Sequence, residues 1–364
     1  MIVGDMVRRW LLMSCALALS ACSSSAAQAV AAAQKTYSLP CAPQTIAASA
    51  DGQSVWLACR TGAKWDQYQR ELAAANAAGK EGPGYGANAF QDAVHVFDLG
   101  SAKATKVGEW MAPVGIHPAP KGSLAVITFP QDRGHDRAAL YDRATRVGDL
   151  QIDPNFLLWS PDATRLYFYG GTTVQADAWN LLGVYQLATR QSTNSRLQKP
   201  AENVYSCAGS GHLFAGDPHF DNGRITAPAL EYDADAKPIA TPPKFPAGHL
   251  SAHCRYVATE DDFHGPLPWE VFDTAGGPRL LRVEFSGEPR KGEYEFHGWN
   301  PQRESVLLRF QYLPDGRAQV EAFDVASKRI VLTSTEKGPF AWSSDGSAVL
   351  AGRGNTLVAL PIER

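Results

Sequence analysis

A turn-and-strand unit recurs along almost the whole chain. Each copy joins a short strand to a second strand through a turn rich in Gly, Pro, Asp and Ser, and the matched points are Ser49, His117, Ser160, Ser206, Ser251, Asn300 and Ser343. The interval between copies is about 45 residues, except that the first interval is longer. A fixed period of this length constrains the fold strongly, because each unit must bury its apolar surface against its neighbours.

A second pattern has the same period. Each unit later contains a short strand of β-branched and aromatic residues that usually ends in Asp, and the copies end at Asp98, Asp142, Gln186, Asp233, Asp273, Asp324 and, in degenerate form, Leu360. Short strands that alternate with turn residues exclude a helical solenoid. The two patterns predict an all-β fold, a single seven-bladed β-propeller of four-stranded antiparallel blades over residues 36–364.

Two of the copies resemble a known repeat. The sequences Trp-Ser-Pro-Asp at 159–162 and Trp-Ser-Ser-Asp-Gly at 342–346, followed by strands of the Val-Phe-Asp type, resemble the WD-type repeats of the TolB-like propeller family. The resemblance covers nearly all of residues 40–362, although the copies at Ser206 and Ser251 lack the Pro-Asp pair. It implies a scaffold and leaves the activity open.

The last copy supplies only three strands, near 339–342, 348–352 and 356–361. The segment Thr36–Leu39 precedes the first copy and is apolar enough to provide the fourth. We therefore expect an N-terminal strand to close the ring, which would remove the exposed sheet edges.

The long first interval holds an insertion at about 63–91. It begins with helix formers in which Trp65, Tyr68, Leu72 and Ala75 share one face, and a glycine ends the pattern. We expect a helical insertion in blade 1 whose aromatic stripe packs on the propeller. The alternative is a cap or a lid that binds a partner.

The first residues have the pattern of an exported lipoprotein. Two arginines precede a short apolar run, Trp10–Leu19, and Leu-Ser-Ala-Cys at 19–22 resembles the bacterial lipobox. We expect residues 1–21 to be a signal peptide, Cys22 to be the lipid anchor and residues 22–35, rich in Ser, Ala and Gln, to be a flexible tether. The alternative is an ordinary secretory signal cut near Ala26 or Ala29.

The expected location is the bacterial cell envelope, where the anchor makes the membrane a partner. The serine after Cys22 implies, by resemblance, delivery to the outer membrane with the protein facing the periplasm. The net charge of −3 is accompanied by no basic run, so the chain lacks the clustered Lys and Arg that nucleic-acid binding needs. No cofactor is expected.

Four cysteines remain after the anchor: Cys41, Cys59, Cys207 and Cys254. An even number in an exported chain makes them disulfide candidates, and the alternative is four small buried residues. If Ala48 pairs with Val55, a regular register puts Cys59 opposite Gln44, so a Cys41–Cys59 bridge requires the preceding segment to fold back. Cys207 and Cys254 belong to turn regions of neighbouring blades.

Function is expected on the loops that join the second and third strands of the blades. The loops between the first and second strands are too short to carry a site. The loops between the second and third strands emerge together at one mouth of the central channel. With the aromatic residues of the insertion, these loops provide the candidates Trp65, Tyr68, Arg133, His135, Asp177, Trp179, Asp217, His219, Asp221, Asp261, Asp262, His264 and Tyr312.

These candidates favour non-enzymatic binding of a protein, a peptide or a glycan. No metal site is predicted, because the His-x-x-x-His spacing at 249–253 falls at a loop-to-strand junction and no Cys-x-x-Cys pair is present. Were a metal bound, Asp217, His219, Asp221 and His264 would be its ligands. No catalytic residue is predicted, since Gly-Ser-Gly at 209–211 is not a nucleophile elbow. The alternative is a hydrolase of the lactonase type with a His and carboxylate site at the channel mouth.

Replacement of the anchor residue tests the lipoprotein assignment. We expect Cys22→Ala to release soluble protein from the membrane fraction, because without the diacylated cysteine nothing holds the tether in lipid. Membrane fractionation followed by immunoblotting measures this. An unchanged distribution between membrane and soluble fractions would contradict the assignment.

Overall fold

The computed structural model describes residues 34–80, 82–84, 86, 89–130, 136–152, 157–169, 181–198, 204–216, 220–221, 224–225, 229–240, 245–259, 269–276, 279–283, 294–312, 318–336 and 338–363. The contacts divide the chain after Lys35, and the second unit, Thr36–Arg364, contains the propeller. Within the described ranges no helix is both long and apolar enough to cross a membrane.

Seven antiparallel sheets follow one another along the chain and form the blades. Their strands are, in blade 1, β2 (Pro43–Ala48), β3 (Ser54–Thr61), β4 (Gln91–Asp98) and β5 (Lys103–Met111); in blade 2, β6 (Gly115–Pro118), β7 (Leu124–Pro130), β8 (Asp136–Asp142) and β9 (Thr145–Leu150); in blade 3, β10 (Leu157–Trp159), β11 (Arg165–Tyr169), β12 (Leu181–Gln186) and β13 (Gln191–Arg196); in blade 4, β14 (Val204–Ser206), β15 (Leu213–Ala215) and β18 (Leu230–Tyr232); in blade 5, β19 (His249–Leu250), β20 (Tyr256–Thr259), β21 (Trp269–Asp273) and β22 (Arg279–Val283); in blade 6, β23 (Tyr294–Trp299), β24 (Val306–Tyr312), β25 (Ala318–Asp324) and β26 (Arg329–Ser334); in blade 7, β27 (Phe340–Trp342), β28 (Ala348–Gly352), β29 (Thr356–Pro361) and β1 (Lys35–Ser38).

The first strand of each blade is its innermost strand. The first strands contact those of neighbouring blades, β2 with β6 and β27, β14 with β10 and β19, and β19 with β23. We call the strands of each blade A to D from the channel outward. The predicted seven-bladed ring is confirmed, and so is its closure, since β1 is the D strand of blade 7 beside β29.

Blade 4 departs from the regular pattern. Its D position holds an isolated bridge between Tyr232 and Pro238, next to a hydrogen bond from the Ile239 amide to the Glu231 carbonyl at 2.8 Å. A separate hairpin, β16 (Phe220–Asp221) and β17 (Arg224–Ile225), is inserted between its B and C strands.

Side-chain hydrogen bonds explain why the turn between strands A and B recurs in the sequence. The Ser160 hydroxyl accepts from the Arg165 amide at 2.9 Å and donates to the Asp162 carboxylate at 2.6 Å. Ser343 makes the same bonds to Ala348 and Asp345, at 3.0 and 2.7 Å. The serine and aspartate therefore satisfy the turn backbone locally.

Main-chain bonds correct two of the matched points. The residue whose amide closes the A–B turn is Ser160 in blade 3, but it is Ala119 in blade 2 and Cys207 in blade 4. The sequence pattern instead places the matched points at His117 and Ser206. Neither Ala119 nor Cys207 carries the hydroxyl that marks the turn in other blades. The matched point is therefore two residues too early in blade 2 and one residue too early in blade 4.

The helical insertion in blade 1 is confirmed as α1 (Ala63–Ala77). Trp65 and Tyr68 stack on each other with centroids 5.2 Å apart, and their rings lie 5.2 and 5.4 Å from Phe90. The Arg60 guanidinium covers Trp65 and Phe90 and pairs with buried Asp92 at 3.1 Å. The aromatic stripe thus packs on blade 1, as expected.

Tryptophans at the ends of three A strands join neighbouring blades. The indole N–H of Trp159 donates to the His117 carbonyl at 2.9 Å, and that of Trp299 donates to the His249 carbonyl at 2.7 Å. Trp342 makes the corresponding bond to Gly298 at 3.4 Å. Each indole therefore fills apolar space and satisfies a carbonyl of the preceding blade.

Blade 6 supplies the carboxylate that the A–B turn of blade 5 lacks. Glu304 accepts from the amides of His253 and Arg255, both at 2.7 Å, and from the Ser251 hydroxyl. In the other direction, the Asn300 amide donates to the Gly346 carbonyl of blade 7 at 2.8 Å. Gly346 has φ +64°, and a Cβ there would lie 2.3 Å from the Asn300 oxygen, so glycine is required.

The structure contains two disulfides among its described residues. Cys207 and Cys254 join the A–B turns of blades 4 and 5, with Cα atoms 5.5 Å apart. Cys41 is bonded to Cys59, with Cα atoms 6.1 Å apart and a sequence separation of 18. A loop of this length stabilises the fold by about 3 kcal/mol in the chain-entropy model.

A β-bulge corrects the register expected near Cys59. Ala48 pairs with Val55 as predicted, but the ladder shifts between Pro43 and Thr45, and Cys59 lies opposite Pro43 rather than Gln44. The extra residue in β2 brings Cys41 one position closer to Cys59 along the strand.

Removal of the shared carboxylate tests the link between blades 5 and 6. We expect Glu304→Gln to lower the free energy of unfolding by about 2 kcal/mol, because hydrogen bonds to a charged acceptor are stronger than those to an amide. Glu363→Gln is the control, since its pair with Arg329 is 70% exposed on both sides and should contribute little. Equal urea midpoints for the two variants would refute this role for Glu304.

Acid titration tests the A–B turn of blade 3. The hydrogen bond from the Ser160 hydroxyl, with further bonds from Thr164, lowers the pKa of Asp162 to about 2. The folded-state pKa lies below the unfolded value of about 3.9, so this stabilisation is present above pH 4 and is lost as the pH falls through about 2. Asp162→Asn should make the melting temperature depend less on pH in this range. The corresponding change in the free energy of unfolding should be less than about 1 kcal/mol, because the group is exposed.

Asp66→Asn, on an exposed position of α1, is the matched control for that measurement. If the two variants lose stability in parallel between pH 4 and pH 2, the Asp162 turn does not contribute as described.

Candidate functional site

A cavity of about 320 Å³ lies against the A strands of blades 3 to 6. Its lining is mostly apolar and aromatic and consists of Leu158, Tyr205, Ser206, His249, Leu250, Ala252, Phe296, Gly298, Trp299, Asn300 and Pro301. The volume falls within the range of small-molecule sites, which is roughly 300–1,000 Å³. Tyr205 and His249 are the titratable side chains of this lining within the described part of the chain.

Three rings form a continuous row in the cavity. The His249 ring lies 5.0 Å from that of Tyr205 in an edge-to-face arrangement and 5.1 Å from that of Phe296. The row continues to Trp299, whose ring centroid is 6.0 Å from that of Phe296. His249 is exposed while Phe296 is buried, so the row offers both an accessible polar ring and a fixed apolar wall.

A bulge in β23 orients this wall. The ladder between β23 and β24 shifts between Phe296 and Gly298, so His297 is the extra residue. His297 instead lies against blade 7, with its Nε2 3.1 Å from the Phe340 carbonyl oxygen. The bulge breaks the strand alternation and allows Phe296, Gly298 and Trp299 to line the same cavity.

The cavity reaches the A–B turns, which the sequence analysis considered too short to carry a site. Ala252, Asn300 and Pro301 come from these turns. The side chain of Asn300 is fully buried, and its oxygen accepts from the amides of Gln302 and Arg303 at 2.9 and 2.8 Å. These bonds fix the turn, and the lining is therefore rigid at this end.

The loop candidates from the sequence mostly fall outside the described residues. Those residues are Arg133, His135, Asp177, Trp179, Asp217, His219, Asp261, Asp262 and His264. For Asp221 and Tyr312 the structure describes only the backbone pairing, opposite Arg224 and Ala318. The binding role of these loops, and the hydrolase alternative that depends on them, remain predictions.

Trp65 and Tyr68 are the two loop-face candidates whose side chains the structure describes, and it brings them together against Phe90. Sequence reasoning missed the cavity residues. The available signal was the aromatic or histidine residue in the A strands of blades 4, 5 and 6, at Tyr205, His249 and Phe296.

No protein-family model matches the sequence, and no curated protein is significantly similar to it. Among solved structures, the chain is similar to a chain of a mitotic checkpoint complex, with 10% identity and a TM-score of 0.52 over 90% of this chain and 91% of that chain. A prolyl endopeptidase structure matches at 15% identity with a TM-score of 0.49, over 80% of this chain but 42% of that chain. An uncharacterised protein of Listeria monocytogenes matches at 10% identity and a TM-score of 0.49, over 85% and 89% of the two chains.

Identities this low show a common fold and nothing about activity. Together with the seven sheets, the first of these comparisons identifies the chain as a β-propeller protein.

Proposed function

We propose that this protein is a non-enzymatic binding propeller of the bacterial cell envelope, which holds part of a protein, peptide or glycan ligand in its central channel. The observation that carries the proposal is the aromatic cavity along the A strands of blades 3 to 6. The ligand is therefore expected to contact the channel wall as well as the loop face.

The chemistry of the lining indicates what the cavity would accept. The row formed by Tyr205, His249 and Phe296 presents ring edges and faces at spacings of about 5 Å. Among the residues that the structure describes, no carboxylate, lysine or arginine lines the cavity. Such a wall favours a flat, uncharged group, because stacking on rings contributes binding energy without the cost of burying a charge. An uncharged sugar ring and an aromatic peptide side chain both meet this requirement.

The contacts of Trp299 indicate that the cavity is formed before a ligand binds. Trp299 stacks on Tyr256, with ring centroids 6.0 Å apart, and its indole N–H is bonded to the His249 carbonyl. Trp299 is thus held in place by the Tyr256 ring and by the backbone of blade 5. A preorganised site loses little side-chain entropy when a ligand binds.

The anchor and the family assignment complete the proposal. Lipidation at Cys22 would attach the protein to the outer membrane, and the tether of residues 22–35 would let the propeller face the periplasm. The Trp-Ser-Pro-Asp and Trp-Ser-Ser-Asp-Gly units support membership of the TolB-like group of propellers. The second-to-third strand loops would then add contacts to a larger ligand beyond the channel.

Ligand titration of cavity variants tests this function. Soluble neutral oligosaccharides and capped dipeptides with an aromatic side chain are titrated against the protein while tryptophan fluorescence is recorded, since Trp299 lines the cavity. We expect one of the two probe series to bind, and His249→Ala to weaken its affinity roughly two- to tenfold by removing a ring contact.

His297→Ala is the matched control, because His297 is on the neighbouring A strand and is bonded to blade 7 outside the cavity. It should leave the affinity unchanged. The proposal fails if neither probe series binds, or if His249→Ala and His297→Ala have the same affinity as the unmodified protein.

A further inference from the structure

Three potential metal ligands meet at the junction between blade 7 and blade 1. Cys41 follows the closing strand β1, Cys59 is in β3 and His95 is in β4. Their ligand atoms all lie within 4.8 Å of one another, and Sγ of Cys41 is 4.0 Å from Nδ1 of His95. Among the described residues this is the only group of three His, Cys, Asp or Glu side chains arranged in this way.

The backbone holds these positions independently of the disulfide. Cys59 pairs with Ala93, and Leu57 pairs with His95, so Cys59 and His95 are diagonal neighbours on one face of the sheet. Pro43, two residues after Cys41, lies directly opposite Cys59. The β2–β3–β4 ladder therefore keeps the three side chains close even when the two sulfur atoms are not bonded.

We propose that Cys41, Cys59 and His95 form a redox-gated site for a thiophilic metal ion: a disulfide when oxidised, and a ligand set of two thiolates and one imidazole when reduced. Such S and N ligands suit soft and borderline cations of the Zn²⁺, Cd²⁺ and Cu⁺ type. Three protein ligands leave a fourth position for solvent or another molecule. Cys41 and His95 are partly exposed, which gives an ion access to the site, whereas Cys59 is fully buried.

The chemistry balances with a dithiol as the reductant. Two electrons and two protons pass from the dithiol to Cys41 and Cys59, the sulfur–sulfur bond breaks and the dithiol closes to its own disulfide. Binding of a divalent ion then releases the two thiol protons. Small side-chain rotations are needed, since ligand sulfurs and nitrogens stand about 2.0–2.3 Å from zinc-like ions.

The second disulfide provides an internal control. Cys207 and Cys254 have a Cα separation of 5.5 Å, similar to the 6.1 Å of Cys41 and Cys59. No third ligand stands with them among the described side chains. If two adjacent thiols were sufficient for tight binding, both pairs would bind a metal equally.

The experiment uses two single-disulfide proteins, one with Cys207→Ser and Cys254→Ser and the other with Cys41→Ser and Cys59→Ser. Each also carries Cys15→Ser and Cys22→Ser, so that two cysteines remain in the chain. It is reduced with a phosphine, its two free thiols are counted, and it is titrated with Cd²⁺ while the thiolate-to-cadmium absorption band is recorded. We expect one tightly bound ion in the first protein, and binding at least about tenfold weaker in the second, since loss of even a supporting group costs this much.

His95→Ala, introduced into the first protein, should weaken Cd²⁺ binding by at least about tenfold while both thiols remain countable. His253→Ala, beside the other cysteine pair, should have no effect. Unchanged affinity in the His95 variant, or equal affinity of the two cysteine pairs, would overturn the proposal. If a serine variant does not fold, as judged by its thermal melt, the reduced unmodified chain is titrated, where one tight ion per chain is expected and two or none would refute the site.

Discussion

Contact between neighbouring blades is the constraint on which the structure depends. A single four-stranded blade cannot bury both of its faces, so its apolar side chains must pack against the next blade. One core cluster joins Val306 and Leu308 of blade 6 to Val349 and Ala351 of blade 7, and similar clusters join the other blades. Polar bonds then fix the relative position of the blades. Glu304 is the clearest of these, because it completes a turn in a blade to which it does not belong.

The blade count could be predicted because the relevant physics is local, and ring closure could be predicted because the last copy supplies only three strands. A serine and an aspartate satisfy each regular A–B turn, and the aspartate that ends a C strand accepts from the following turn, as Asp98 does from the Ser101 amide at 2.6 Å. Such bonds leave a residue pattern that repeats with the fold. The pattern failed at Ala119 and Cys207, where the turn is held by main-chain bonds or by a neighbouring blade and no side chain marks it.

The cavity and the cysteine–histidine group could not be predicted in the same way, since both depend on bulges. The extra residue at His297 changes which side chains of β23 face the channel, and the shift after Pro43 changes which residue faces Cys59. A bulge has no period and no required residue type, so the strand alternation read from the sequence continues through it unchanged. Both sites also combine residues that are distant in sequence, which the strand ladders of blade 1 and the packing of blades 3 to 6 bring together.

The Cys41–Cys59 bond has a mechanical consequence for a chain pulled from its N-terminal side. Tension entering before Lys35 would act first on β1, an outer strand whose ladder pairs it with β29 and whose Tyr37 ring contacts Phe97 of blade 1. If β1 peeled away, the load would next reach the bond from Cys41 to Cys59, a fully buried residue in the B strand of blade 1. That covalent link would transfer the force into the interior of a complete blade instead of along the ladder of β2. The ring could thus lose its closing strand under tension while blade 1 remained intact.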